Sequence, residues 1–234
     1  MACAAGNRSR AVPPLPENNA GSNRTLHLVP PTVADPPATE SLPKLRAAAA
    51  SCRACPLWRT GTQTVFGEGG EHAALMVVGE QPGDREDIEG HPFVGPAGRL
   101  LDKALEATGV PRDEVYITNA VKHFKWEPRG KRRLHKTPAQ REIEACLPWL
   151  EAELTAVEPR VILCLGATAA RAVMGGKVRV TETRGQPLHS PFGKDVVITI
   201  HPAYILRLRS GMEEAFAVFV NDVAQAADLA GFKR

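Results

Sequence analysis

The segment Leu75–Gly98, LMVVGEQPGDREDIEGHPFVGPAG, joins a buried strand to a polar loop. It opens with Leu75–Val78, a short apolar run that ends at Gly79, and such a run predicts a strand. Residues 79–83 contain two glycines and one proline, so we expect a tight turn rather than a flexible linker. Glu80 and Gln81 then follow the carboxyl end of a strand, the edge where open α/β sheets bind ligands.

The same pattern of a strand followed by a helix recurs along the chain. Further strands are predicted at Val115–Val121, Arg160–Gly166 and Val196–Ile200. Helices are predicted from about Ser41 and over Gly98–Gly109, Pro138–Val157, Ala167–Met174 and Glu213–Ala230, with a helical turn at Ala203–Arg209 and turns or a hairpin at Val178–Gly193. This alternation predicts an α/β fold, a three-layer α/β/α sandwich with a central four-stranded parallel sheet. The strand ends then bring Glu80, Asn119, Gly166 and His201 to one edge.

Length and composition favour a single folded domain behind a disordered tail. The chain has 234 residues, enough to bury a full core, and no apolar run long enough to span a membrane. Residues 1–41 hold seven prolines and little apolar periodicity, which predicts disorder. The folded domain is expected to cover residues 42–234, as a monomer in the cytoplasm.

Basic charge is concentrated in residues 122–136, KHFKWEPRGKRRLHK. This segment carries seven Lys or Arg and one Glu, whereas the net charge of the whole chain is only +3. Concentrated basic charge is typical of a surface that binds a phosphate-rich partner such as nucleic acid. On residue chemistry alone, His135 in this segment is interpreted as one more phosphate contact.

Four cysteines lie beyond the predicted tail: Cys52, Cys55, Cys146 and Cys164. The first two form a CxxC pair near the end of a predicted helix, whereas a thioredoxin-type pair follows a strand and opens a helix. The pair therefore favours metal or cluster binding, with two incidental cysteines as the alternative. Cys164 lies inside the apolar segment VILCLG, where a free cysteine suits a core.

Four segments, in this order, resemble the iron–sulfur uracil-DNA glycosylase superfamily: the CxxC pair, GEQPGDREDIEGHPFVGPAG, VYITNAVK and HPAYILR. The resemblance runs from about Leu42 to the end of the chain. Within the superfamily, and close to its family 4, the sequence is most similar to the UdgX group. It has GEQPGD where most members have GEGPGE, and it has the inserted loop Lys131-Arg132-Arg133-Leu134-His135, which reads KRRIH in that group. UdgX proteins bond covalently to DNA through the loop histidine after they excise uracil.

The resemblance implies a uracil-DNA glycosylase that becomes attached to the abasic sugar through a histidine. It implies catalytic roles for His135 as the nucleophile, Glu80 beside its ring, His201 as a donor to the departing uracil, and Gln81 and Asp84 near the sugar. It implies substrate binding by Phe93 against the flipped base, by Asn119 at the polar edge of the base and by Gly79, and DNA binding by Lys131, Arg132 and Arg133.

The resemblance also implies a [4Fe-4S] cluster held by Cys52, Cys55, His123 and Cys146. Hydrolytic relatives carry a cysteine at the position of His123, and Cys164 is the alternative fourth ligand. The implied partner is uracil-containing DNA, single-stranded at least, in the bacterial cytoplasm and near the nucleoid. Two other functions stay open at this point: an ordinary hydrolytic uracil-DNA glycosylase, and a non-catalytic module that binds DNA or metal.

Overall fold

The computed structural model describes residues 32–232, so most of the predicted tail lies outside the described residues. Its last part, residues 32–41, is irregular, yet Ala34 is buried and its backbone N–H donates to the carbonyl oxygen of Ala145 at 2.9 Å. Within residues 32–232, none of the helices is both long and apolar enough to cross a membrane.

The described residues contain eight strands and eight α-helices. The strands are β1 (Glu68–Gly69), β2 (Leu75–Gly79), β3 (Val115–Asn119), β4 (Trp126–Arg129), β5 (Arg132–His135), β6 (Val161–Leu165), β7 (Pro187–His189) and β8 (Asp195–Thr199). The helices are α1 (Leu42–Ala49), α2 (Asp84–Glu89), α3 (Pro96–Ala107), α4 (Gln140–Val157), α5 (Gly166–Met174), α6 (Val180–Thr183), α7 (Pro202–Ile205) and α8 (Met212–Ala230). Two short 3₁₀ helices cover Pro56–Arg59 and Arg112–Glu114.

Six of the strands form one mixed sheet in the order β1-β3-β2-β6-β8-β7. The four central strands, β3, β2, β6 and β8, are parallel, which confirms the predicted parallel sheet. The sheet is wider than predicted, because β1 and β7 add an antiparallel strand at each edge. These edge strands have two and three residues, too few for an apolar pattern to mark them in the sequence.

Alternate residues of the central strands pack into two separate cores, one on each face of the sheet. In β2, Met76 and Val78 contact the core formed with α1, α4 and α5, whereas Leu75 and Val77 contact the core formed with α3 and α8. Because both faces are covered, every residue of β2, β3 and β6 is buried, and β2 and β6 read as continuous apolar runs. The result is the predicted three-layer sandwich.

The chain order of the strands reverses between β2 and β6. On one side of β2 lies β3, and on its other side lie β6 and then β8. Ligands of open α/β sheets bind outside the carboxyl ends of the strands at such a switch point. The residues that follow β2, β3, β6 and β8 therefore lie together there. Two segments near this edge differ from prediction: part of the loop after β2 forms α2, and part of the basic segment forms the β4–β5 hairpin.

Candidate active site

The carboxyl ends of the four central strands open into one cavity of about 760 Å³. Its wall includes residues from all four strand ends: Glu80, Asn119, Gly166 and His201. Gln81, Phe93 from the loop before α3 and His135 from the hairpin complete the part of the wall that the sequence predicted. The structure therefore brings together side chains that lie up to 121 positions apart in the chain.

Asn119 presents an unpaired acceptor to this cavity. Among the described residues, its Oδ1 is a buried side-chain atom that finds no hydrogen-bond partner. Buried polar atoms are nearly always paired, so this oxygen suits a ligand that donates a hydrogen bond. Gly79 permits the arrangement, since a Cβ there would lie 2.3 Å from Asn119 Oδ1 and 2.6 Å from Phe93 Cζ.

Phe93 supplies an aromatic face beside this amide. Its backbone has a positive φ of 56°, which is uncommon for a bulky residue, and its ring is buried. The ring lies 26° from parallel to that of His201, with the centroids 6.1 Å apart. Phe93, Asn119 and His201 thus surround one end of the cavity with an aromatic face, an amide and an imidazole.

His201 is held as a neutral imidazole with a defined tautomer. Its Nδ1 accepts a hydrogen bond from the backbone N–H of Ala203 at 3.1 Å, so the proton of the neutral ring lies on Nε2. Burial, together with smaller contributions from the nearby His135 and Arg207, lowers the pKa of His201 to about 4. At neutral pH the ring is therefore a hydrogen-bond donor without a positive charge.

His135 lies opposite Glu80 across the cavity mouth. Its Nε2 is 3.4 Å from Glu80 Oε1. Burial lowers the pKa of His135 from its ordinary value of 6.5, Glu80 acts against this shift, and Arg207 reinforces it. The ring is thus unprotonated at neutral pH and keeps a free nitrogen lone pair, as a nucleophile requires.

The hairpin that carries His135 is tied to the loop after β2 by Gln81. The side-chain Nε2 of Gln81 donates to the carbonyl oxygens of Lys125 and Lys136, each at 3.1 Å, and its Oε1 accepts from the N–H of Lys125 at 3.0 Å. One amide therefore joins the residues that precede β4 and follow β5, at the open end of the hairpin. At its closed end, Gly130 has a positive φ of 59° in the two-residue turn between β4 and β5, a conformation that glycine adopts without strain. The role of Gln81 at the sugar stays a prediction.

Arg133 points inward from the hairpin rather than outward to solvent. Its Nε donates to Asp84 Oδ1 and its Nη1 to Asp87 Oδ2, both at 2.5 Å. The guanidinium also lies over the rings of Phe124 and Trp126. Two carboxylates thus balance the charge of Arg133, and Asp84 is engaged with the hairpin.

The DNA-binding prediction for Lys131, Arg132 and Arg133 divides accordingly. Lys131 and Arg132 lie at the exposed tip of the hairpin, where phosphate oxygens have access to their charges. Arg133 and His135 are two positions apart in β5 and contact the same ring, Phe124. Because strand side chains alternate, Arg133 and His135 share the inner face. A role of Arg133 at phosphates stays a prediction. In the structure its guanidinium contacts carboxylates and aromatic rings of the protein instead.

Three cysteines lie close together near α1 and α4. Cys52 and Cys55 are both near enough to Cys146 to affect its pKa, which burial raises to about 12. Two N–H groups point at these sulfurs: that of Lys122 donates to Cys146 Sγ at 3.3 Å, and Trp149 Nε1 donates to Cys52 Sγ at 3.2 Å. Donors to sulfur stabilise the thiolate form, which is the form that binds iron.

His123 follows Lys122 and joins the same region. Its Nε2 lies 3.2 Å from Thr64 Oγ1, and that hydroxyl in turn donates to the carbonyl oxygen of Ala49 at 2.9 Å. Thr64 therefore accepts the Nε2 proton, and Nδ1 keeps a lone pair for a metal. Burial lowers the pKa of His123 to about 4, so the ring is neutral. The three cysteine sulfurs and the Nδ1 of His123 are ligand atoms that fit an iron–sulfur cluster.

Cys164 belongs to a different environment. It is fully buried in β6, and burial alone raises the pKa of its thiol. Within residues 32–232, no three His, Cys, Asp or Glu side chains converge closely enough to hold a single metal ion. The four ligands of a [4Fe-4S] cluster each bind a different iron, so they need not converge on one point.

Comparison with known proteins identifies the family. The model of the uracil DNA glycosylase superfamily matches residues 66–224, from just before β1 into α8. The chain belongs to the uracil-DNA glycosylase superfamily. A protein of Thermotoga maritima described as a type-4 uracil-DNA glycosylase is 42% identical over 176 residues, which cover 75% of this chain and 87% of that protein. Proteins with the same description from Pyrobaculum aerophilum and Archaeoglobus fulgidus are 38% and 35% identical, over 76% and 83% of this chain and 92% and 96% of their own lengths.

Superfamily membership confirms the fold and the broad family expected from the sequence, whereas the UdgX assignment stays a prediction. Sequence reasoning missed two side chains that hydrogen-bond to residues of the site or of the hairpin. Thr168 donates to Glu80 Oε2, and Asp87 accepts from Arg133. No local motif marks either residue, since Thr168 lies in an Ala-rich helix and Asp87 in an acidic run.

Proposed function

We propose that this protein excises uracil from DNA and then becomes covalently attached to the resulting abasic sugar through His135. The observation that carries the proposal is the position of His135: its ring lies 3.4 Å from Glu80, in the wall of the cavity that holds Asn119, Phe93 and His201. A nucleophile and a base-recognition site thus share one cavity. The type-4 uracil-DNA glycosylases among the relatives support the excision step.

Recognition of uracil follows from the chemistry at one end of the cavity. A flipped pyrimidine would stack on Phe93, and the N3–H of uracil would donate to the unpaired Oδ1 of Asn119. The side-chain NH₂ of Asn119 would donate to a uracil carbonyl. Cytosine carries no proton on N3, so it would leave this buried acceptor unpaired, which costs about 1–3 kcal/mol.

Bond cleavage uses His201. The bond between C1′ of the sugar and N1 of uracil breaks, and its electron pair leaves with the base as an anion. Nε2–H of His201 donates to the uracil oxygen on which the charge develops, and removal of one such donor typically lowers a rate by about 10²–10³. The sugar remains as an electrophilic oxocarbenium ion.

Capture then consumes that ion. The unprotonated nitrogen of His135 donates its lone pair to C1′, which gives a positively charged alkylated imidazole. The carboxylate of Glu80 stabilises that charge at short range. Because the hairpin places the ring beside the cavity, the protein nucleophile competes with water at a high effective concentration. The alkylated ring has no easy leaving path, so each molecule acts once.

A hydrolytic reaction is the second candidate, favoured by the description of the relatives as type-4 uracil-DNA glycosylases. In that case water, positioned by Glu80, would take the place of His135 at C1′. The product would be free abasic DNA, and the enzyme would turn over. The two candidates share recognition and cleavage, and differ in the atom that attacks the sugar.

The proposal includes a [4Fe-4S] cluster held by Cys52, Cys55, His123 and Cys146. These residues lie in the region where N–H donors point at sulfur and where the Nδ1 of His123 is free. Such a group supplies cross-links between chain segments, here the segment after α1, the end of β3 and α4. Its place in the function is to fix the start of the hairpin, which begins three residues after His123.

Denaturing electrophoresis with a uracil-containing single strand tests the function. The wild-type protein should give a stable protein–DNA band, whereas His135→Ser should release uracil without that band. His189→Ser is the matched control, because this histidine is exposed outside the cavity and its loss should leave the band unchanged. Mass spectrometry of the digested complex should find a deoxyribose adduct on the peptide that contains His135.

Each other outcome identifies an alternative. Abasic product without a band from the wild-type protein would establish hydrolysis. Neither product would establish a binding protein without catalysis. An adduct on another residue, or an undiminished band from His135→Ser, would end the assignment of the nucleophile.

A further inference from the structure

Thr168 lies in the wall of the cavity, although no sequence motif marks it. It is the third residue of α5, the helix that follows β6, and its side chain is buried. Its hydroxyl donates a hydrogen bond to Oε2 of Glu80, a residue 88 positions earlier. The parallel pairing of β2 with β6 brings the two together, since Glu80 and Gly166 each come directly after one of these strands.

The two oxygens of the Glu80 carboxylate therefore have different neighbours. Oε2 accepts from Thr168, and Oε1 faces His135 Nε2 at 3.4 Å. The terminal torsion of a glutamate is broad, so without a fixed donor the carboxylate rotates freely about its last bond. The backbone of Glu80 is already held, because its carbonyl oxygen accepts from the N–H of Val121 at 3.1 Å. The hydrogen bond from Thr168 restrains the terminal torsion of the side chain.

We propose that Thr168 is a positioning residue that orients Glu80 toward His135 and so favours capture of the sugar by His135 over its hydrolysis by water. This inference rests on the proposed function. His135 itself is about half exposed, with a side-chain accessibility of 47%, so its ring needs a fixed partner to stay at the cavity. A carboxylate that rotates away would leave the ring free to move, and water would then reach C1′ first.

The test compares variants that differ by the hydroxyl alone. Thr168→Val keeps the size and branching of the side chain but removes the donor, whereas Thr168→Ser keeps the donor. Thr108→Val is the matched control, because Thr108 is also 5% exposed and its hydroxyl bonds to the backbone of α3. Single-turnover reactions with a uracil-containing single strand would measure released uracil and the covalent band in the same samples.

We expect Thr168→Val to lower the rate of capture about tenfold, the lower end of what a hydrogen bond to a charged group contributes, and to raise the share of free abasic product. Thr168→Ser should restore capture, and Thr108→Val should match the wild type. In a Glu80→Gln background, Thr168→Val should change capture by less than about twofold, because the two residues act as one unit.

The outcomes separate this inference from the proposed function. Absence of a band from the wild-type protein would refute the proposed function, and the inference with it. A wild-type band with equal capture by Thr168→Val would refute the role of Thr168 alone. Equal losses in the Val and Ser variants would also refute it, since packing rather than the hydroxyl would then matter. If Thr168→Val fails to fold, capture by Thr168→Ser that differs from the wild type by tenfold or more would overturn the inference, as about tenfold is the whole expected effect.

Discussion

Replacement of Arg133 by Met tests whether this residue anchors the hairpin or attracts DNA. Methionine keeps an unbranched apolar stem and removes the guanidinium, which donates to Asp84, Asp87 and Thr62. The contacts with Asp84 and Asp87 differ in how much they contribute to the free energy of unfolding. Asp84 is 51% exposed, and an ion pair of that kind contributes about 0–1 kcal/mol.

Asp87 dominates the expected effect because it is fully buried. Loss of one partner of a buried charge pair typically costs about 3–5 kcal/mol. Here Asp87 keeps two other donors, the N–H of Thr62 at 2.8 Å and its hydroxyl at 2.6 Å. We therefore expect a loss of about 3 kcal/mol, the lower end of that range. If the hairpin detached in the variant, water would reach Asp87 and solvate its charge. The loss of stability could then not exceed the free energy that holds the hairpin in place.

Three measurements distinguish the two roles. Arg133→Met should lower the midpoint of denaturant unfolding, speed amide hydrogen exchange in residues 126–135 and weaken the covalent band. Arg132→Met is the matched control at the exposed neighbouring position. It should leave the midpoint unchanged and flatten the salt dependence of DNA binding by about 0.7–1 in the slope. If Arg133→Met instead flattened the salt dependence and left the midpoint unchanged, Arg133 would be a phosphate contact and our reasoning would be wrong.

Four further predictions concern the cavity and the cysteine region. Asn119→Ala should reduce the preference for uracil over cytosine, by about 1–3 kcal/mol in competition assays, because the polar edge of the base loses its partner. Gly79→Ala should abolish uracil release without unfolding the protein, since its Cβ would lie 2.3 Å from Asn119 Oδ1; unchanged kinetics would show that the cavity is wider than it appears in the structure. Because the pKa of His135 is lowered from 6.5, the capture rate should fall only at a pH below 6.5, and a rate that already halves at or above pH 6.5 would contradict the shift. Cys164→Ala should keep the brown colour expected of the proposed [4Fe-4S] cluster while His123→Ala bleaches it, and the reverse result in visible spectra would exchange their roles.

The dependence of stability on acid pH gives one more test, this time of His201 in the cavity. The pKa of His201 is about 4 in the folded protein, against an ordinary value of 6.5. The unfolded chain therefore binds a proton between these values that the folded protein does not, so stability falls as the pH drops from 6.5 toward 4. His201→Asn should make this part of the pH–stability curve less steep. An unchanged slope would mean that His201 is protonated alike in both states.

The sequence by itself determined the central sheet and the edge at which the site lies. Strands buried on both faces read as continuous apolar runs, so β2, β3, β6 and β8 were each predicted to within about two residues at either end. Parallel strands all end at the same edge, so Glu80, Asn119 and His201 could be placed together before any contact was known. The fold and the polar wall of the cavity follow from these local patterns.

The tertiary structure alone decided which of these side chains hold one another. The predicted basic loop reads as a set of phosphate contacts, yet Arg133 pairs with Asp84 and Asp87, 49 and 46 positions away. Thr168 reaches Glu80 across 88 positions, through a hydrogen bond that neither segment encodes on its own. Local sequence sets periodicity and turn chemistry, which act within a few residues. The partners of a buried charge or hydroxyl depend on strand order and register, because only the assembled sheet brings segments far apart in the chain within hydrogen-bond distance.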